Sequence, residues 1–251
     1  MPETAAPGPV EVTRAGAVAT VLLARRAFDG RTAVALRDAL RSLGADQRVR
    51  CVVLTGQGTV FNYGADVRSI DLADPAAGVR AIVGPLHDAV FAIATMPQPV
   101  VAAVNGTAAG GGMGLALHCD VVLATESASF VPAFAAIGVP PDTGFSIAVP
   151  RLIGTAAAFR LYTEDTRLSA VEAFDAGLVR SVHPDDRFAA AATAHAEQLA
   201  SGPGAAFAAA KRLFRGAPEA LRSQLDAEAA AVLECVETEE FRLRVARVAA
   251  H

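Results

Sequence analysis

The architecture turns on Pro99-Val100-Val101-Ala102-Ala103-Val104-Asn105-Gly106-Thr107-Ala108-Ala109-Gly110-Gly111-Gly112-Met113-Gly114. Val100 to Val104 is a short apolar run with no polar face, which reads as a strand buried on both sides. Asn105-Gly106 turns the chain, and a glycine cluster follows. Glycine at a strand exit lets another backbone come close and leaves N–H groups free. The cluster is not a dinucleotide fingerprint, because Leu115 stands three places after Gly112 where GxGxxG needs glycine. Leu115 to Cys119 reads as a helix end, and Val121-Val122-Leu123 as another strand.

The same pattern appears upstream. Cys51-Val52-Val53-Leu54 is a buried strand closed by Thr55-Gly56-Gln57-Gly58, and a loop then carries Phe61-Asn62-Tyr63-Gly64-Ala65-Asp66. Val10 to Leu23 alternates loosely around Ala15-Gly16, which reads as a hairpin. Val34, Leu36, Leu40 and Leu43 recur at near-helical spacing up to Gly44. Val79 to Met96 is an amphipathic helix terminated by Pro97 and Pro99. After Pro150 the chain reads as helices punctuated by Gly154, Gly177, Pro184, Gly202-Pro203 and Gly216, with one strand candidate at Leu178 to Val182. Strands alternating with helices predict an α/β fold with a mainly parallel sheet. We divide the chain into a Pro/Ala tail expected to be disordered (1–9), an α/β core (10–195) and a C-terminal helical region (196–251).

Composition narrows the function. The 251 residues are 53% hydrophobic and 19% charged, so global disorder is excluded. The formal charge of −4, the absence of Trp and only two Tyr leave no footprint for nucleic acid. No uninterrupted apolar run approaches the roughly 20 residues of a membrane helix. Met1 to Pro9 has neither a positive start nor an apolar stretch, so it does not read as a signal peptide. Cys51, Cys119 and Cys235 stand far apart without CxxC spacing, which fits a reduced, cytoplasmic setting. The five histidines have no metal-ligand spacing, so no metal is expected. There is no GxxxxGK loop and no HExxH. Gly144-Phe145-Ser146-Ile147-Ala148 approaches a nucleophile elbow, but Ala148 replaces its last glycine and no strand clearly precedes it.

Two strand-to-glycine-loop transitions remain, Leu54 through Ala65 and Val104 through Gly114. If both lie at one sheet edge, two backbone N–H groups can converge on one oxygen as a main-chain oxyanion hole. Tight turns made for packing explain the glycines equally well.

Pro99 to Gly106 followed by Ala109-Gly110-Gly111-Gly112 resembles the signature of the crotonase family, the enoyl-CoA hydratases and isomerases. Phe61 to Asp66 resembles its first oxyanion loop. Pro150-Arg151-Leu152-Ile153-Gly154 and Ala173 to Val179 resemble later landmarks, in unbroken order from about Val10 to Phe214. The resemblance implies a ClpP/crotonase-like spiral of ββα turns with a C-terminal helical trimerisation region, assembled as a homotrimer or hexamer. It implies an acyl-CoA thioester as ligand, with coenzyme A part of the substrate and no separate cofactor. By position, Ala65 and Gly111 look like the oxyanion pair. Phe61, Tyr63, Gly64, Asp66, Gly110 and Phe134 fall in the substrate-binding segments, Tyr63 toward the adenosine. Lys211 falls in a helix similar to the one that brings a basic residue to the CoA phosphates, often from a neighbouring subunit. The N-A-L-type stretch before the first long helix is altered here to Arg26-Ala27-Phe28-Asp29.

Departures from the family pattern set the expected chemistry. Gly114 and Phe134 stand where hydratases carry two glutamates, so hydration of a double bond is not expected. Asp142, in Gly138-Val139-Pro140-Pro141-Asp142-Thr143-Gly144, is the remaining acid. It is either a helix N-cap or the single carboxylate of the branch resembling epoxyphenylacetyl-CoA and Δ3,Δ2-enoyl-CoA isomerases. One carboxylate suffices for a 1,3-proton shift. Two alternatives stand beside it. One is 4-chlorobenzoyl-CoA dehalogenase-like chemistry, with Asp142 as nucleophile and His87 as auxiliary. The other is a non-catalytic acyl-CoA-binding scaffold.

Overall fold

The computed structural model describes residues 8–249. The tail expected at 1–9 therefore lies outside the described residues up to position 7. Beyond it, the Pro9 carbonyl already accepts from Ala24 N–H at 3.1 Å.

A six-stranded sheet forms the base. β1 (Val10–Ala15) and β2 (Val18–Leu23) are the expected hairpin, paired antiparallel. Helix α1 (Gly30–Ala45) starts on Asp29, whose carboxylate accepts from Thr32 N–H at 2.7 Å. β3 (Cys51–Gly56) is parallel to β2. The chain then turns into a short strand, β4 (Val60–Asn62), which belongs to a second sheet. Helix α2 (Pro75–Thr95) follows, then β5 (Val100–Val104), a short β6 (Thr107–Ala109) and α3 (Gly111–His118). β7 (Val121–Thr125), a short β8 (Ser129–Val131) and α4 (Phe145–Ile153) repeat the pattern. Each turn is thus a long strand, a short strand and a helix. The long strands align as β1-β2-β3-β5-β7 and the short ones as β4-β6-β8.

The corners explain the glycines. At Gly106 a Cβ would lie 1.9 Å from the Thr59 carbonyl oxygen, so only glycine lets the chain leave β5 there. Asn105 ties neighbouring exits together: its side chain accepts from Gly56 N–H at 2.9 Å and donates to the Gly58 carbonyl at 2.8 Å.

The later chain is α5 (Thr155–Glu164), β9 (Leu168–Ser169), α6 (Ala170–Asp175) and β10 (Ser181–His183). β9 pairs with β8 and β10 with β7. The helices α7 (Asp185–Ser201), α8 (Gly204–Arg215), α9 (Pro218–Val236) and α10 (Glu239–Ala249) complete it. α1 and α2 pack on one face of the large sheet. α7 covers the other, where Phe188, Ala192 and Ala196 meet Val53, Val101 and Leu123.

Several boundaries differ from those read in the sequence. The division at 195/196 falls inside α7, whose Phe188, Ala192 and Ala196 pack on the large sheet. α2 starts four residues before Val79, because Asp74 accepts from Ala77 N–H and Pro75 opens the helix. α3 starts at the glycine cluster itself. The late strand is Ser181–His183, and Leu178 and Val179 are buried turn residues before it. α2 is also long and apolar enough to cross a membrane by length and composition, with a mean hydropathy of 1.3. It carries Arg80, His87 and Asp88, and more than half of that window is buried inside the fold, as in a core helix.

Candidate active site

The first loop is stitched down on both sides of Ala65. Asn62 Oδ1 accepts from Gly64 N–H at 2.7 Å, and Tyr63 N–H donates to the Arg26 carbonyl at 2.7 Å. Phe28 N–H donates to the Gly64 carbonyl at 2.7 Å, and Asp66 N–H to the Phe28 carbonyl at 2.9 Å. These bonds skip Ala65, whose N–H has no acceptor among the described residues. Gly111 opens α3, so its N–H is one of the helix's unpaired donors. The loops touch at Gly64, where φ is +83° and a Cβ would lie 2.8 Å from Gly111 N. Both conditions demand glycine, and together they set the Ala65 and Gly111 amides into the wall of one cavity.

That cavity has a volume of about 1060 Å³. Exposed Arg25, Arg26, Arg31, Arg68 and Tyr63 surround one part of it, and Leu86, Phe134, Ile137, Val139, Val232 and Phe241 make an apolar interior. Three carboxylates line it. Asp29 is engaged by Thr32, which holds it below the ordinary carboxylate range. Asp66 caps the short turn Val67–Ser69 through Arg68 N–H at 3.1 Å. Asp142 is the third. It keeps some exposure toward the cavity, and desolvation raises its carboxyl above the usual range. Neighbouring His87 and the Thr143 hydroxyl, which donates to Asp142 Oδ1 at 2.6 Å, oppose that rise without reversing it.

Asp142 is not a helix cap. Its carboxylate takes none of the α4 amides: Glu228 of α9 accepts from Gly144 N–H at 2.8 Å and Ser146 N–H at 3.0 Å, and Phe145 N–H donates to the Asp142 backbone carbonyl at 3.0 Å. Ser146 also donates its hydroxyl to Glu228, so this serine is tied into the cap and forms no nucleophile elbow. Glu228 did not stand out in the sequence. Its signal is a break in the buried stripe Leu225-Glu228-Val232-Val236 of α9.

The two positions that lack glutamate are built into the site. A Cβ on Gly114 would meet the Thr143 carbonyl oxygen at 2.9 Å and that of Asp142 at 3.2 Å, so the Asp142 loop occupies the space a side chain would need. Phe134 is buried edge-on to Phe145, with ring centroids 5.4 Å apart.

Tyr63, Ala65, Asp66, Gly110, Gly111, Phe134 and Asp142 come together at the cavity. Gly64 sits immediately behind the amide pair. Three expected residues are elsewhere. Phe61 is fully buried in the core. Lys211, 8% exposed, ion-pairs with Asp120 at 2.6 Å and donates to the Gln98 carbonyl at 2.9 Å, so it docks α8 and does not line the cavity of its own chain. His87 lies behind the Asp142 loop, not on the cavity wall. Its Nε2 accepts from Thr143 N–H at 3.2 Å, which leaves the proton of the neutral ring on Nδ1. Burial holds its pKa below the ordinary value, although Asp142 pulls the other way. No cluster that could hold a metal occurs among the described residues.

Comparison with known proteins agrees over nearly the whole chain. The profile of the family described as "Enoyl-CoA hydratase/isomerase" matches residues 13–247. The 4-chlorobenzoyl coenzyme A dehalogenase-1 of Arthrobacter sp is 31% identical over 246 residues, 94% of this chain and 89% of that protein. The 1,2-epoxyphenylacetyl-CoA isomerase of Escherichia coli is 36% identical over 197 residues, 77% of this chain and 75% of that protein. A crystal structure of an enoyl-CoA hydratase from Mycobacterium avium subsp. paratuberculosis superposes with a TM-score of 0.87 at 33% identity, covering 96% of this chain and 99% of that one.

Proposed function

The chain belongs to the enoyl-CoA hydratase/isomerase family, and we propose that within it the protein is an enoyl-CoA isomerase working through one carboxylate. The thioester carbonyl accepts from the Ala65 and Gly111 amides. Asp142 removes a proton from the carbon next to the double bond, and the electron pair moves onto the thioester oxygen. The resulting enolate rests against the two amides, and the same carboxyl returns the proton at the other end of the three-carbon unit. No atom is gained or lost. Two fixed amides favour the enolate because they need no reorganisation, and one such donor is worth about 2.7–4 kcal/mol in the transition state.

One observation carries this reading: Asp142 is the cavity carboxylate that is not engaged as a cap, and desolvation raises its carboxyl above the usual range, the direction a proton shuttle needs. Gly114 and Phe134 supply no second acid–base group, which argues against hydration. The cluster of Arg25, Arg26, Arg31 and Arg68 is suited to the CoA phosphates, the role first expected of Lys211. The subunits assemble as a trimer or hexamer, a reading supported by uncovered apolar side chains such as Phe159, Phe174, Leu213 and Phe214, and the free cysteines Cys51, Cys119 and Cys235 suit the cytoplasm.

The dehalogenase-like alternative draws support from the Arthrobacter relative. Against it, His87 is off the cavity wall with Nε2 committed to Thr143. The test offers 3-enoyl-CoA, 2-enoyl-CoA and 4-halobenzoyl-CoA side by side, read by mass spectrometry and ultraviolet absorbance. We expect 3-enoyl-CoA to become its 2-enoyl isomer at unchanged mass. Halide release from the aryl thioester alone supports the dehalogenase reading, and binding of every thioester without turnover supports a scaffold.

A further inference from the structure

Glu228 lies outside the machinery described above, yet it is 4% exposed and carries a carboxylate in an otherwise apolar stripe. Such a group is costly to bury unless its partners matter. Its partners are the amides of Gly144 and Ser146, immediately beyond Asp142-Thr143. A local cap cannot replace it. At Gly144 φ is +75°, and a Cβ there would lie 2.3 Å from the His118 ring, so the cap position has no side chain. The turn is also strained, since Thr143 has φ +55°. Its two successive amides are anchored from outside: Thr143 N–H on His87 of α2 and Gly144 N–H on Glu228 of α9. Glu228 Oε2 lies 3.8 Å from His87 Nε2, so the anchors are neighbours.

We infer that Glu228 is a positioning residue for Asp142, holding the strained Asp142–Gly144 turn so that the carboxyl meets substrate beside the Ala65/Gly111 amides. The inference rests on the reading of Asp142 as the proton shuttle. Glu228 acts through its two amide contacts, which fix the turn, and its carboxyl interacts with that of Asp142. Burial pushes the Glu228 carboxyl up to about 7, Asp142 adds to that rise, and the bonds from Ser146 and Gly144 resist it. The other titratable or charged groups bearing on this network are His87 from α2, His118 from α3, Arg151 from α4, Arg215 from α8, and Arg222 and Asp226 from α9.

The test is Glu228→Gln beside Asp142→Asn, in the full-length protein with a 3-enoyl-CoA. Gln keeps the shape but can accept only one of the two amides. We expect kcat to fall about 10- to 100-fold, the scale of a misplaced reacting group, with KM within a factor of about two. Gln also removes the carboxyl raised to about 7, so the part of the kcat profile that follows Glu228 near neutral pH is lost while the acid limb set by Asp142 stays. Glu228→Asp is the second variant. It keeps the carboxyl and shortens the reach, so kcat falls while the feature near neutral pH remains, and it serves if the Gln variant does not fold. Unchanged kcat in either folded variant, while Asp142→Asn is inactive, overturns the inference alone. Full activity of Asp142→Asn overturns the underlying proton-shuttle reading instead.

Discussion

At the residue scale the site depends on small groups held in place more than on reactive ones. A Cβ on Gly111 would meet the Thr143 hydroxyl at 2.9 Å and Leu86 at 3.8 Å. Gly111→Val therefore crowds the acid loop as well as the ligand, and turnover should fall about 10²-fold or more with the fold retained. Steady-state kinetics with circular dichroism check this. Asp142 also has a pH signature. Its folded pKa lies above the ordinary value of 3.8, so ionising it costs stability as pH rises past that value. Asp142→Asn should melt no lower than the parent at neutral pH, and the difference should shrink as pH falls toward about 4. Thermal melts across that range read it directly. A variant clearly less stable at pH 7 would restore Asp142 to a structural role. The two glycine loops and the Pro-stiffened acid loop left local signs in the sequence, and the resemblance to the crotonase pattern singled out Ala65, Gly111 and Asp142 within them. Glu228 left only a periodicity break in an alanine-rich helix, because its partners are more than 80 positions away.

At the scale of elements, the buried strands β3, β5 and β7 were legible as continuous apolar runs. The strands of the small sheet were not, since β4, β6 and β8 have three residues each and β9 has two, too few to show a period. The same holds for Lys211: its helix was legible, but the ion pair that docks it within its own chain was not. Asp120 holds Lys211 at 2.6 Å and Arg215 at 2.9 Å, and so pins α8 to the core between β5 and β7. Removing one partner of a buried pair costs about 3–5 kcal/mol, and less here because Asp120 keeps Arg215 and is partly solvated. Lys211→Ala should lower the melting temperature by several degrees and leave KM for an acyl-CoA unchanged. A large rise in KM with unaltered stability would return Lys211 to the ligand.

At the scale of the molecule, the ββα spiral supplies the amides and the acid, while the C-terminal helices finish the chamber. Val232 and Val236 of α9 and Phe241 of α10 line the cavity, and Glu228 reaches the acid loop from the same layer. Loss of α9 would therefore open the site and free the Asp142 turn together. On the outside, Phe214 is 86% exposed and Leu213 81%, more apolar surface than one helix end normally leaves to water. Light scattering at micromolar concentration should give a trimer or hexamer, and a monomer would contradict that assembly. The most direct measurement is turnover of a 3-enoyl-CoA by Asp142→Asn, paired with binding of a non-reactive acyl-CoA to the same variant. The Asn side chain keeps the shape and loses the base, while the Ala65 and Gly111 amides are untouched. A fall of about 10²- to 10⁴-fold in turnover with binding retained is the expected result. Turnover equal to that of the parent protein would contradict the account, because the proton would then be moving through another group.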